Sequence, residues 1–111
     1  MRKLIVIAIA ACALAAFAAT AFAATKKIKV GDDYYVRSSG VPRVTVSKGT
    51  TVKWRFVGDS PHTVTVSKGP AKFNSGIRTG GSFSKTLRKR GTYRIYCTIH
   101  GREQRMTLVV K

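Results

Sequence analysis

Along the later part of the chain, apolar and polar residues alternate one by one. Val44 and Val46 alternate with Arg43, Thr45 and Ser47, Val52, Trp54 and Phe56 with Lys53 and Arg55, and Val64 and Val66 with Thr63 and Thr65. Tyr93, Ile95 and Cys97 share one parity, and so do Met106, Leu108 and Val110. A strand points successive side chains to opposite faces, so a period of two predicts strands with one face in a core and one in water. No helical period occurs after Ala24. All 10 glycines lie in the same part of the chain, most of them about nine to eleven residues apart, which is the turn spacing of an all-β sandwich or barrel. Lys48-Gly49, Gly58-Asp59, Lys68-Gly69-Pro70 and Arg90-Gly91 read as turns. The economical architecture is all-β, a Greek-key β-sandwich of seven to eight short strands in two packed sheets.

The first 23 residues follow a different rule. Arg2 and Lys3 precede an unbroken apolar run, Leu4–Ala19, and Ala21-Phe22-Ala23 is an A-x-A cleavage pattern. This is the layout of a secretory signal peptide. It predicts a signal over residues 1–23, a single domain over 24–111, and an exported protein, periplasmic or extracellular at the cell envelope, with no membrane span after cleavage. A transmembrane anchor fits less well, because the run is just under spanning length and ends in small residues. A lipoprotein signal at Cys12 also fits less well, because apolar residues continue well past that cysteine.

Composition sharpens this picture. The chain has 111 residues, with 21 Lys+Arg against 4 Asp+Glu and a net charge of +17. The length allows one domain and excludes a barrel of alternating strands and helices or a doubly wound sheet. Residues 24–111 keep 19 of the basic residues and all four acids, for a net +15. A domain this small gains from a staple such as a disulfide or a metal. Cys12 falls in the signal, so Cys97 is the one cysteine of the domain and no disulfide forms within it. A lone thiol in an oxidising compartment is buried, paired between chains or bound to a metal.

Cys97-Thr98-Ile99-His100 sets a thiol and an imidazole three positions apart where a strand ends, and His62 opens another strand in Ser60-Pro61-His62-Thr63-Val64. Two histidines and one cysteine make up the trigonal ligand set of a blue-copper electron-transfer site. Taken singly, each residue has a blander reading: an inward cysteine is usually a small buried hydrophobe, and a histidine near a turn usually lies on the surface. The combination is more specific, since both histidines and the only cysteine fall where one site needs them.

The sequence resembles the cupredoxins, the type 1 blue copper proteins, and most of all their plastocyanin-, amicyanin- and pseudoazurin-like members. The likeness is carried by His62-Thr63-Val64, by Phe73-Asn74-Ser75-Gly76, by Ser82-Phe83-Ser84, and by Gly91-Thr92-Tyr93-Arg94-Ile95-Tyr96-Cys97-Thr98-Ile99-His100. It spans essentially all of residues 24–111. The resemblance implies one copper ion, cycling between Cu(I) and Cu(II), held by His62, Cys97 and His100. It also implies an axial methionine a few residues later, and here the chain departs from the pattern. Amicyanin-like and plastocyanin-like spacing lead to Glu103 and Arg105. In the families it resembles, the axial ligand shares the parity of the inward residues of the last strand; counting back from Val110 through Leu108 and Met106, the resemblance implies Gln104, and glutamine is an accepted weak axial donor. Gln104 ranks first as the axial ligand, Met106 second and Glu103 third. A carbonyl oxygen is harder than a thioether and favours Cu(II), which implies a lowered reduction potential.

The basic residues include Arg88-Lys89-Arg90 and, inside the ligand loop, Arg102 and Arg105. They predict docking to an acidic redox partner protein or an anionic envelope surface, steered over long range and sensitive to salt. The protein is expected to be a monomer. No nucleic acid partner is expected, because the aromatics alternate inward and the chain reads as exported. The favoured function is an exported mononuclear type 1 copper protein acting as a one-electron carrier. The alternatives are a copper chaperone, storage or resistance protein on the same fold, and a metal-free cationic domain that binds polyanions. An enzyme is not expected: four protein donors leave no open position, and no carboxylate pair or nucleophile–base set is visible. The acceptors that fix the histidine rings are not legible. Asp59 and Ser60 read as turn-capping residues, Thr63 as a hydrogen-bonding partner of the ligand loop, and Trp54 as core.

Overall fold

Eight strands and no helix form among residues 24–111, which are the residues described by the computed structural model. The segment read as a signal peptide, Cys12 included, lies outside the described residues. The strands are β1 (Thr25–Gly31), β2 (Tyr34–Tyr35), β3 (Arg43–Val46), β4 (Thr51–Phe56), β5 (Thr65–Lys68), β6 (Ser82–Thr86), β7 (Gly91–Cys97) and β8 (Gly101–Val110). They build two four-stranded sheets, ordered β2-β1-β4-β6 and β3-β8-β7-β5. β1 runs parallel to β4, and β3 parallel to β8; the other neighbours are antiparallel. The all-β sandwich expected from the alternation is the fold observed.

The inward parities meet in one core. Ile28, Val30, Val52, Trp54 and Phe56 come from the first sheet, and Val66, Tyr93, Ile95, Met106, Leu108 and Val110 from the second. Each such side chain stabilises the fold by about 1.5–3 kcal/mol on leaving water. Trp54, Phe73 and Phe83 form a tilted aromatic group with ring centroids 5.8, 5.9 and 6.0 Å apart, the offset geometry that ring quadrupoles favour. On the solvent side of the first sheet, Lys27 lies opposite Lys53 and Lys29 opposite Arg55. Like charges in direct register oppose pairing.

Two local features differ from simple alternation, and both position the site. His62 does not open a strand: β5 starts at Thr65, and Thr63 and His62 are buried although polar. This segment pairs instead with residues 73–78. His62 and Arg78 exchange backbone hydrogen bonds of 2.9 Å in both directions, Ser75 N–H donates to the Val64 carbonyl at 2.9 Å, and Val64 N–H donates to Ser75 Oγ at 2.8 Å. The Phe73-Asn74-Ser75-Gly76 stretch is therefore the brace behind His62. The second feature is the hairpin of β1 and β2, closed by the two residues Asp32 and Asp33. Asp33 has φ of 69°, a left-handed conformation that aspartate tolerates through its short polar side chain. Val36 follows with φ of 66°, spanned by a 2.6 Å bond from Arg37 N–H to the Tyr35 carbonyl. This is γ-turn geometry on a β-branched residue, a point of local strain.

Candidate metal centre

β7 ends at Cys97, the turn Thr98–His100 carries His100, and β8 brings back Gln104. These residues converge on His62. The donor atoms of His62, Cys97 and His100 all lie within 4.8 Å of one another. Cys97 Sγ is 3.5 Å from His100 Nδ1. Gln104 Oε1 lies 2.8 Å from His62 Nδ1 and 3.2 Å from His100 Nδ1. His62, Cys97 and Gln104 are each 0% exposed, whereas the His100 side chain is 24% exposed. The centre is thus closed on three sides and open at one imidazole.

Hydrogen bonds fix each of these groups. Thr63 N–H donates to Cys97 Sγ at 3.4 Å, and Thr98 N–H donates to Thr63 Oγ1 at 2.9 Å, so Thr63 ties the His62 segment to the ligand turn as expected. The Thr63 carbonyl accepts the Tyr35 hydroxyl at 2.5 Å. Burial pushes the Tyr35 phenol far up, so it remains a donor. Burial by itself raises the Cys97 thiol, but hydrogen bonds from the backbone N–H groups of Thr63, His100 and Ile99 oppose it, and the thiol lies below its ordinary value. That favours thiolate, the form that binds metal.

The outer nitrogens of both rings meet carboxylates. His62 Nε2 is 2.9 Å from Asp32 Oδ1, and His100 Nε2 is 3.3 Å from Asp33 Oδ1. The bond to His62, helped by the Asp59 and Ser60 backbone N–H groups, holds the Asp32 carboxyl down at about 2. Gln104 Nε2 donates to the carbonyls of Gly31 and Tyr34 at 3.1 and 3.0 Å, which turns its Oε1 toward the two imidazoles.

This wiring tests whether a metal fits. A carboxylate at Nε2 calls for the ring proton on that nitrogen, which leaves Nδ1 as a bare lone pair. Two such lone pairs, a carbonyl oxygen and a thiolate-prone sulfur then face one another across a buried space. A centre made only of acceptors needs a cation inside it, and the two nitrogens, one sulfur and one weak oxygen donor fit a single copper ion.

Several residues fall outside this centre. Met106 is 1% exposed and belongs to the hydrophobic core, paired with Ile95. Glu103 and Arg105 are exposed on β8, and Glu103 is not part of the cluster. Asp59 and Ser60 act through their backbones, as donors to Asp32. Arg102 and Arg105 line a surface groove together with Arg94, Val41 and Tyr96. No helix among the described residues is long and apolar enough to cross a membrane. Sequence reasoning missed Asp32, Asp33 and Tyr35. The available signal was the scarcity of acids: two of only four stand side by side in Gly31-Asp32-Asp33-Tyr34.

No protein-family model matches the sequence. The chain is 34% identical over 84 residues to a plastocyanin of Prochlorothrix hollandica, a match that covers 68% of this chain and 64% of that protein. The fold superposes on a Cu(I) amicyanin variant with glutamine in place of a methionine, with TM-score 0.66 and 26% identity, covering 85% of this chain and 89% of that one. An oxidised amicyanin variant gives TM-score 0.61 at 26% identity, covering 81% of this chain and 90% of that one. A copper-containing nitrite reductase of Thermus scotoductus SA-01 shares the fold over 78% of this chain and 22% of its own length, with TM-score 0.64 and 19% identity. By fold, by its His-Cys-His cluster and by these relatives, the chain is similar to the cupredoxins, and it spans 64% of the length of the plastocyanin it matches.

Proposed function

We propose that the protein is an exported mononuclear type 1 copper protein that carries single electrons. In this reading His62, Cys97 and His100 are the principal ligands and Gln104 is the axial one. The observation that carries it is the convergence of His62 Nδ1, Cys97 Sγ, His100 Nδ1 and Gln104 Oε1 on one buried space at the end of a cupredoxin sandwich.

Bound copper supplies a one-electron couple between Cu(I) and Cu(II). The chain supplies everything else. Cys97 and Gln104 sit where the β7–β8 ladder slips, held there by the Thr63 N–H on the sulfur and by the Gly31 and Tyr34 carbonyls on the amide, and the bridge to Arg78 fixes His62. Ligands held this firmly move little when the charge changes, which keeps reorganisation small. Burial of His62, Cys97 and Gln104 excludes water from three sides. His100 alone reaches solvent, with exposed Ile99 beside it, so its edge is the electron's route to a partner. Arg94, Arg102 and Arg105, close in the chain to the ligand turn, would steer an acidic redox partner protein toward that edge at low salt. Export rests on the layout of residues 1–23. With four protein donors and no open position, the site suits electron carriage and not turnover of a substrate.

The test is the visible spectrum of the purified protein after Cu(II) is added. An intense thiolate-to-copper charge-transfer band, abolished by Cys97→Ala, is the expected result. Colourless protein with weak, cysteine-independent copper binding would sink the reading.

A further inference from the structure

Residues 24–111 carry 19 Lys+Arg and four carboxylates, yet among the described residues no carboxylate pairs with a lysine or an arginine. Asp32 and Asp33 meet instead the outer nitrogens of His62 and His100. Asp32 is also seated from behind. Its Oδ1 accepts the Ser60 N–H at 3.0 Å and its Oδ2 accepts the Asp59 N–H at 3.1 Å. A Cβ on Gly58 would overlap the carboxylate, so the lack of a side chain there makes the seat. Asp33 is looser, 64% exposed and 3.3 Å from His100.

We infer that the Asp32-Asp33 turn is a positioning element for the metal centre: it aims the two ligand imidazoles and biases the site toward Cu(II). The inference rests on the copper reading above. An imidazole that donates its outer N–H to a carboxylate becomes a stronger donor at its inner nitrogen. Two anionic charges, each one ring away from the ion, also stabilise the more highly charged copper state. Asp32 acts through a fully buried ring and carries the larger share, because solvent and salt screen Asp33.

The experiment compares Asp32→Asn, Asp33→Asn and Gly58→Ala in the purified protein. It measures Cu(II) and Cu(I) affinities by chelator competition, together with the midpoint potential. Asp32→Asn should keep the colour and weaken Cu(II) about tenfold relative to Cu(I), which raises the potential by about 59 mV for one electron. Asp33→Asn should move it the same way by about threefold in relative affinity. Gly58→Ala, which displaces the Asp32 carboxylate without removing it, should shift the potential in the direction of Asp32→Asn. An unchanged preference in all three coloured variants would overturn the inference and leave the copper reading standing. Wild-type protein that takes up no copper would overturn the copper reading and the Cu(II) bias together. The aiming role has its own readout in imidazole-nitrogen NMR of the metal-free protein, above the ordinary histidine pKa of about 6.5. A proton on Nε2 of both rings is expected, and a proton on Nδ1 of His62 would overturn the role whatever the metal does.

Discussion

The two sheets contribute differently to the metal end. The second sheet, with the segment leading into it, presents every donor: His62 ahead of β5, Cys97 on β7, His100 in the turn and Gln104 on β8. The first sheet presents no donor and most of the support. Its β1–β2 hairpin places a carboxylate on each imidazole, two carbonyls on the Gln104 amide and a hydroxyl on the Thr63 carbonyl. Changes in the second sheet should therefore decide whether the site exists, and changes in the first should decide how it is tuned and how firmly it is held.

The sharpest break is Cys97→Ala, which should remove the visible band completely, while no hairpin substitution does so; absorption spectra of matched variants check this. Next comes Gln104→Met, which touches both sides. A softer donor should raise the midpoint potential, and the Gly31 and Tyr34 carbonyls lose their donor. That loss should lower metal-free stability by about 1–3 kcal/mol in urea denaturation. Tyr35→Phe tests support alone: about 1 kcal/mol of stability lost with the spectrum unchanged. Lys53→Glu, on the outer face opposite Lys27, should stabilise the fold by about 0.5 kcal/mol by relieving like-charge register, with potential and colour unmoved. Acid reaches the support through Asp32. Its folded-state carboxyl lies at about 2 against an ordinary 3.8, so its contribution is complete above 3.8 and disappears as pH falls through 2. Metal-free Asp32→Asn should lack that part of the acid profile.

The same division explains what the sequence reveals. Donors of the second sheet are legible because local rules govern them. Period-two parity places Cys97 inward, Cys97-Thr98-Ile99-His100 sets its own spacing, and counting back from Val110 reaches Gln104. The sandwich itself is legible from the same parity. His62 is recognisable as a residue but not as structure, since buried Thr63 breaks the alternation and the segment it pairs with, residues 73–78, makes isolated bridges instead of a strand. The hairpin's role is hidden for a different reason. Asp32 reaches His62 across 30 positions of chain, and apart from the scarcity of acids nothing in Gly31-Asp32-Asp33-Tyr34 distinguishes a carboxylate that meets a histidine from an ordinary turn residue.

The span of these supports also sets an order of assembly. The bond from Gln104 to Gly31 joins residues 73 positions apart, and that to Tyr34 joins residues 70 apart. Long-range closures of this kind carry the largest chain entropy and make β-rich domains slow to fold. A chain emerging from its N-terminus holds the carboxylates long before it holds anything for them to orient, and the coordination sphere is complete only after the last strand has docked. On the copper reading proposed above, acquisition of the ion would therefore be a late event, performed by a finished fold, and a truncated or stalled chain would have no vessel in which to trap it.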